Sequence, residues 1–374
     1  MKKVIISMVL AITMLVGCSQ DQENEVNEPV LIEDVETTET SIEMFTSRDL
    51  TQEVDVSEAT IIEIADEQTY EIEEVGVYVL TGNGQNVSIV VNAADEKVQL
   101  VLEGLMIENT DKPVIEVVDA DKVFITTTKS VSELKVINNF EESDKDSVIF
   151  SNDDLVFNGR GSLTIISDYG NGITSKDDLK ITGSSLYVSS SLDAIEANDS
   201  IRIYDGSIRV NSLKDGLHTE NDSQDKGYIY ITGGLLEIAA EDDGIMASSI
   251  IEIHGGEIGV SKSSEGLEAN QIYIYDGSLN IVSSDDGINA TSKVGLDVLV
   301  EIYDGDIYIE MAEGDTDAID SNGDLYVYGG NITLKCGSSF DADGTAELID
   351  GYVLVNGEEI TEITTQHQGG SKKH

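Results

Sequence analysis

Asp286-Gly287-Ile288-Asn289-Ala290 decides the fold, because the chain repeats it. The pattern recurs as Asp193-Ala194-Ile195-Glu196-Ala197, Asp215-Gly216-Leu217-His218-Thr219, Asp243-Gly244-Ile245-Met246-Ala247, Glu265-Gly266-Leu267-Glu268-Ala269 and Asp317-Ala318-Ile319-Asp320-Ser321, with weaker copies starting at Asn171 and Asp341. From Asn171 the start-to-start steps are 22, 22, 28, 22, 21, 31 and 24 residues. Each copy leads into a second alternating strand and, after a glycine turn, a third, as in Ile272-Tyr273-Ile274-Tyr275, Asp276-Gly277 and Leu279-Asn280-Ile281. Three short strands and three corners in about 22 residues make one coil of a three-sided parallel β-helix. A single coil has no core, so Ile288, Ile274, Leu279 and Ile281 are buried only when coils stack.

Rival architectures fit poorly. A propeller blade needs about 40 residues, an antiparallel sandwich has no reason to repeat Asp-Gly at this interval, and no six-residue period marks a left-handed helix. The long steps place extra residues near 218–226, 291–299 and 312–316, expected as loops leaving the stack and as walls of a cleft.

Upstream of the repeats, Lys2 and Lys3 precede the apolar stretch Val4 to Leu15, too short to cross a bilayer comfortably. Leu15-Val16-Gly17-Cys18 then resembles a bacterial lipobox, with Cys18 as the lipidated residue. The expected organisation is a signal peptide at 1–17, a lipidated cysteine and acidic disordered tether at 18–50, the β-helix at 51–365 and a flexible tail at 366–374. The protein is then held on the cell membrane by its lipid alone, facing away from the cytoplasm. Of the two cysteines, a lipidated Cys18 leaves Cys336 without a partner, so no disulfide supports the fold.

The chain carries 73 acidic and 21 basic residues, a net charge of −52. That balance excludes nucleic acid as a partner. Stacking would put the first residue of every repeat into one column, Asp193, Asp215, Asp243, Glu265, Asp286 and Asp317, at a spacing of about 4.8 Å. Glu196, His218, Met246, Glu268, Asn289 and Asp320 form a second column, and Asp242 and Asp285 a partial third. Carboxylates about 5 Å apart repel by roughly 3 kcal/mol per pair at an effective dielectric near 20. Raised pKa values or bound cations must relieve this. Calcium suits oxygen-only ligands, with bonds of about 2.3–2.6 Å, and several ions are expected on Asp193, Glu196, Asp215, Asp242, Asp243, Glu265, Glu268, Asp285, Asp286, Asn289, Asp317 and Asp320. The alternative is that these side chains cap corners by bonding neighbouring backbone, with the following glycine supplying positive φ. Capping suffices for one Asp-Gly, whereas the doubled column favours metal.

On the second strand the outward positions include Tyr230 and Tyr273, and two residues further on Tyr204, Tyr275, Tyr303 and Tyr328. Such a row offers flat faces for sugar rings, or tyrosines that stack on one another. A calcium-dependent uronan lyase would also need a base, and Lys214 is the best-placed candidate, with Lys176 and Lys262 behind it.

Asn171-Gly172-Ile173-Thr174-Ser175-Lys176-Asp177-Asp178-Leu179-Lys180-Ile181-Thr182-Gly183, Lys226-Gly227-Tyr228-Ile229-Tyr230-Ile231-Thr232-Gly233-Gly234 and Asp285-Asp286-Gly287-Ile288-Asn289-Ala290 resemble a family. It is the bacterial carbohydrate-binding domain family of calcium-containing β-helix proteins, first noted as cellulose and polygalacturonate binders. Thr69-Tyr70-Glu71-Ile72 and Leu100-Val101-Leu102-Glu103-Gly104-Leu105 extend the likeness over almost everything after the tether. The resemblance implies an all-β, right-handed parallel β-helix similar to polysaccharide lyases, calcium on the acidic repeat, and affinity for acidic plant polysaccharide without established catalysis. Met246 in place of a polar rung, Ser184-Ser185 in place of two glycines and the short end at 366–374 depart from the family pattern.

The leading expectation is a surface module whose calcium bridges to polysaccharide carboxylates, so that a chelator abolishes binding. A lyase, or a purely structural envelope or adhesin protein, are the other classes. Nothing in the sequence sets the assembly state.

Overall fold

The computed structural model describes residues 44–142, 144–312 and 316–364. The signal peptide, Cys18, residues 18–43 of the tether and the tail at 366–374 lie outside them.

Three alternating strands per repeat stack into three parallel ladders. In the first ladder, Asn171–Ser175 pairs with Ile195–Ala197, and that strand pairs with Leu217–Thr219 one coil on. The second ladder runs through Asp178–Ile181, Ser200–Ile203 and Tyr228–Ile231, and the third through Ser185–Ser190, Ser207–Ser212 and Leu235–Ala239. No helix occurs among the described residues, and the protein is an all-β parallel solenoid.

Period-two alternation explains both the strands and the core, since every second side chain points inward and the β-branched ones suit a pleated surface. Ile173, Ile195, Leu217, Ile245, Leu267, Ile288, Ile319 and Phe340 form one inward column, each at most 1% exposed. Burial of each such side chain contributes roughly 1.5–3 kcal/mol, and that core fixes the register of everything outside it.

Both ends depart from the repeat. Near the N-terminal end the strands lengthen and run through corners, as in Ser88–Asn109 and Ile115–Thr127. At the other end, Tyr352–Val355 pairs antiparallel with Glu358–Ile360. Asn356 and Gly357 join them with φ of 52° and 87°, the positive angles that an Asn-Gly hairpin turn requires. This hairpin covers the last edge of the third ladder, where unpaired backbone would otherwise invite further strands.

Folded structure begins earlier than the sequence suggests. Residues 44–50, assigned above to the tether, pack on the second ladder. Asp49 is fully buried, 3.3 Å from Lys180 and 3.7 Å from Lys122, and its side chain also accepts the Thr46 N–H. Composition alone marked the segment as polar, but its partners lie more than 70 residues away along the chain. Two of the expected loops are present, at 220–227 and 291–298, on the corner between first and second ladders. They touch each other: Gln224 Nε2 donates to the carbonyls of Val294 and Gly295, at 3.3 and 3.1 Å. Of the third, residues 313–315 are outside the described residues.

Candidate functional site

The acidic column lies at the corner that enters the first ladder, and its register is the expected one. Asp193 Oδ1 accepts the Asp215 N–H at 3.0 Å, Asp215 Oδ1 that of Asp243 at 2.9 Å, Asp243 Oδ1 that of Glu265 at 3.2 Å, and Asp286 Oδ1 that of Asp317 at 3.1 Å. Asn171 begins the series with the Asp193 N–H at 2.9 Å. The capping alternative is therefore realised, using one oxygen of each side chain. At the Glu265 rung no such cap forms among the described residues, and Glu265 Oε2 is buried without a hydrogen-bond partner.

The glycine of the motif has a different role from the one expected. Gly172, Gly216, Gly244, Gly266 and Gly287 are absent from the positive-φ positions. They are required by close approach instead: a Cβ on Gly266 would lie 2.3 Å from the Gly287 carbonyl oxygen and 2.4 Å from Ile281. Positive φ belongs to another column, at the corner entering the third ladder, where Gly277 has φ of 124° and its N–H is held by Asp276 Oδ1 at 2.7 Å. Ser184, the departure noted in the sequence, occupies that column with φ of 74°.

The second oxygens of the column come together. Ligand-type atoms of Asp193, Asp215 and His218, of Asp215, Asp242 and Asp243, and of Asp243, Glu265 and Glu268 lie within 4.8 Å of one another in each group. The groups are chemically unequal. Lys214 Nζ sits 2.9 Å from Asp193 Oδ2 and 3.9 Å from Asp215 Oδ2, while His218 Nδ1 is 3.1 Å from Asp193. Burial pushes the Asp193 carboxyl up, yet His218 and Lys214 outweigh it and hold the group below its ordinary value. In the other two groups Lys214 reaches only Asp215, at 3.9 Å, and Lys293 only Glu268, at 2.8 Å, while Asp243 and Glu265 make no ion pair among the described residues. Burial, then the charges of Glu265 and Asp215, push Asp243 up to about 9. Burial and Glu268 push Glu265 up to about 8, and burial is the main cause at Asp215, pushed up to about 6.

Several expected ligands are otherwise engaged. Glu196 accepts from Asn171 Nδ2 at 2.6 Å and lies 3.6 Å from Lys176, and Glu268 lies 2.8 Å from Lys293. Lys293 comes from the 291–298 loop and was not foreseen, because an insertion has no place in the repeat. The third column is partial, as its spacing implied: the stacked backbone runs Lys214, Asp242, Ser264, Asp285, so Asp242 and Asp285 share the column two coils apart. Asp286, Asp317 and Asp320 extend the column, with burial pushing Asp286 up to about 6 and Asp320 up to about 7. Asn289 Oδ1 is a second buried atom without a partner, on the strand residue paired with Glu268.

A hard divalent cation fits this donor set. The donors are carboxylate oxygens and one amide oxygen, two of them orphaned by burial, and burial with neighbouring negative charge pushes the Asp215, Asp243 and Glu265 carboxyls up. Asp215, Asp242, Asp243, Glu265 and Glu268, with Asn289, would hold it. At Asp193 the Lys214 ammonium and the His218 imidazole already occupy that role.

The tyrosines form a separate ladder. Tyr275 stacks on Tyr303 and Tyr303 on Tyr328, both at 4.9 Å between centroids, and His254 stacks on Tyr275 at 4.4 Å. Tyr273 leans on Tyr275 at 6.3 Å, Tyr230 on His254 at 4.9 Å, and Phe45 meets Tyr204 edge-on at 5.5 Å. The parallel rings from His254 to Tyr328 cover one another and offer no row of open faces for sugar, whereas Tyr204 stands outside that stack. Lys214 is no better as a base. Burial pulls its pKa down, but Asp193 and Asp215 more than reverse this and keep it a cation, which has no lone pair for a proton.

Fold and site define a parallel β-solenoid bearing a carboxylate ladder along one corner. A family profile described as carbohydrate-binding domain-containing protein matches residues 66–316. The chain belongs to this family. A protein of the same description from Acetivibrio thermocellus is 30% identical over 129 residues, 33% of this chain and 45% of the relative, so the match spans less than half of that relative's length. The solved polysaccharide lyase-like protein from C. thermocellum, a gadolinium derivative, aligns with a TM-score of 0.47 and 21% identity over 78% of this chain and 98% of that one.

Proposed function

We propose that this protein binds acidic, pectin-like polysaccharide at the cell surface through calcium held on the acidic ladder. The observation that carries this reading is the group of Asp243, Glu265 and Glu268, where carboxyls on successive coils converge and one buried oxygen has no partner. When bound, calcium supplies the positive charge that lets a polymer carboxylate approach a protein of net charge −52. The chain's own part is to place the donors: the stacked backbone sets their spacing, and each cap fixes one oxygen while the other is left for the ion. Membership of the carbohydrate-binding family supports the polysaccharide. The right-handed, three-sided winding belongs to the same proposal and is the hand that parallel crossover connections overwhelmingly take. So does the Cys18 lipid anchor, which would place the solenoid outside the cytoplasm. A lyase reading has nothing to favour it while Lys214 stays charged.

Capture on immobilised polygalacturonate tests the proposal. Wild-type protein is retained in millimolar calcium and released by EGTA, and the Asp243→Asn, Glu265→Gln double variant is not retained under either condition. Retention of the double variant, or calorimetry that detects no calcium uptake by the folded protein, defeats it.

A further inference from the structure

Away from the acidic corner, two cavities of about 360 and 450 Å³ flank Gln52, each within the range that small ligands occupy. Gln52 is the pin between them. Its Oε1 accepts the Gly159 N–H and its Nε2 donates to the Thr182 carbonyl, both at 2.8 Å, so one side chain ties the N-terminal segment to two successive coils. It fits because Gly183 has no side chain: a Cβ there would stand 2.0 Å from Gln52 Oε1.

Arg160 lines both cavities. Lys129 joins it in the first and Tyr204, 46% exposed, in the second. Hydroxyls of Thr128 and Ser185 complete walls that offer charge, hydrogen bonds and an aromatic surface together. The cations are the unusual part. Lys122, Lys180 and Arg202 on the neighbouring strands are each bound to carboxylates. Among the described residues neither Lys129 nor Arg160 makes an ion pair, although the chain carries 73 acids. Each cavity does contain one carboxylate, Glu53 in the first and Asp205 in the second, and Asp205 is turned to the Gly206 N–H at 2.7 Å. A third cavity shows the contrast: Asp66, Glu108 and Glu133 line it with no cation.

We propose that the groove on either side of Gln52 is a second, metal-independent subsite for a uronate residue, with Arg160 pairing the sugar carboxylate and Tyr204 packing against the ring. A guanidinium presents a planar fork that matches a carboxylate, and Lys129 adds a point charge along the same groove. The inference rests on the acidic-polysaccharide reading for its ligand class, but not on calcium. A single short subsite of this kind binds weakly and does not by itself retain the protein on polymer, so the chelator result above is unaffected.

Calorimetry with trigalacturonate in EGTA at low ionic strength is the test, using the full chain. Wild type binds; Arg160→Ala weakens binding roughly tenfold or more, the usual consequence of losing a charged hydrogen-bond partner. Lys129→Ala weakens it less, and the trimer's methyl ester does not bind. Arg160 and Lys129 are both exposed, so neither substitution removes core packing, and far-UV circular dichroism checks that each variant is folded. The Asp243→Asn, Glu265→Gln variant keeps wild-type trimer affinity in EGTA, which separates failure of the groove from failure of the ladder. No binding by wild type, unchanged affinity in Arg160→Ala, or equal binding of the ester overturns the groove.

Discussion

Glu265 is one methylene longer than the aspartates that precede and follow it in the column, and that length takes it out of the capping pattern. Without calcium, burial and the nearby Glu268 oppose its ionisation, and its buried oxygen gains no partner. Glu265→Gln keeps the volume and removes the charge. The metal-free variant should therefore unfold higher than wild type, on the order of 2 °C for each kcal/mol of repulsion relieved, while the rise in midpoint produced by calcium shrinks. Differential scanning calorimetry in EGTA and in calcium reads both changes; a lower metal-free midpoint would mean that the side chain serves the fold rather than an ion. The column itself was legible from spacing, since stacking must align equal positions of a repeat. The internal ammonium groups were not. Lys214 and Lys293 reach the ladder by side-chain reach and loop path, and neither has a periodic signature.

Between one coil and the next, what matters is backbone distance, and here the residue type was legible without its cause. Asp-Gly reads as a turn with positive φ, yet at Gly266 the constraint is the carbonyl of the following coil. Gly266→Ala should be destabilising by several kcal/mol, as an overpacked site with immovable backbone tends to be, and Gly259→Ala is its control. A Cβ at Gly259 would meet only the Leu236 carbonyl at 3.8 Å, an ordinary contact, so that substitution should be neutral or stabilising by roughly 0.4–1 kcal/mol through the unfolded chain. Urea midpoints of the two variants settle the order, and equal effects would contradict the packing described for the corner. The strands and their inward faces were fully legible, because alternation is a local property. The aromatic ladder was legible as a row but not as a stack, since ring orientation is set by neighbours such as Glu301, which accepts from Tyr303 at 2.7 Å and Tyr328 at 3.3 Å.

Across the whole molecule the ladder makes stability a function of both pH and calcium. Unfolded carboxyl groups titrate near 4, whereas in the metal-free fold burial and mutual repulsion push Asp215 and Asp286 up to about 6, Asp320 to about 7, Glu265 to about 8 and Asp243 to about 9. Between those limits the folded protein binds more protons than the unfolded chain, so stability is greatest below pH 4 from these groups and falls as pH rises through each folded value. Asp193 works the other way: its depressed carboxyl contributes stability that is lost only on acidification. In EGTA the unfolding midpoint should therefore decline from pH 5 to pH 9. Calcium competes with protons for the same oxygens, so its stabilising effect should be small at pH 5 and large at pH 9, and binding at pH 7 should release protons. Thermal scans at three pH values, with calorimetric heats compared in buffers of different ionisation enthalpy, measure both quantities. A calcium shift of equal size at pH 5 and pH 9, with no proton release, would place the ion away from Asp243 and Glu265 and leave their raised carboxyls as a property of the fold alone.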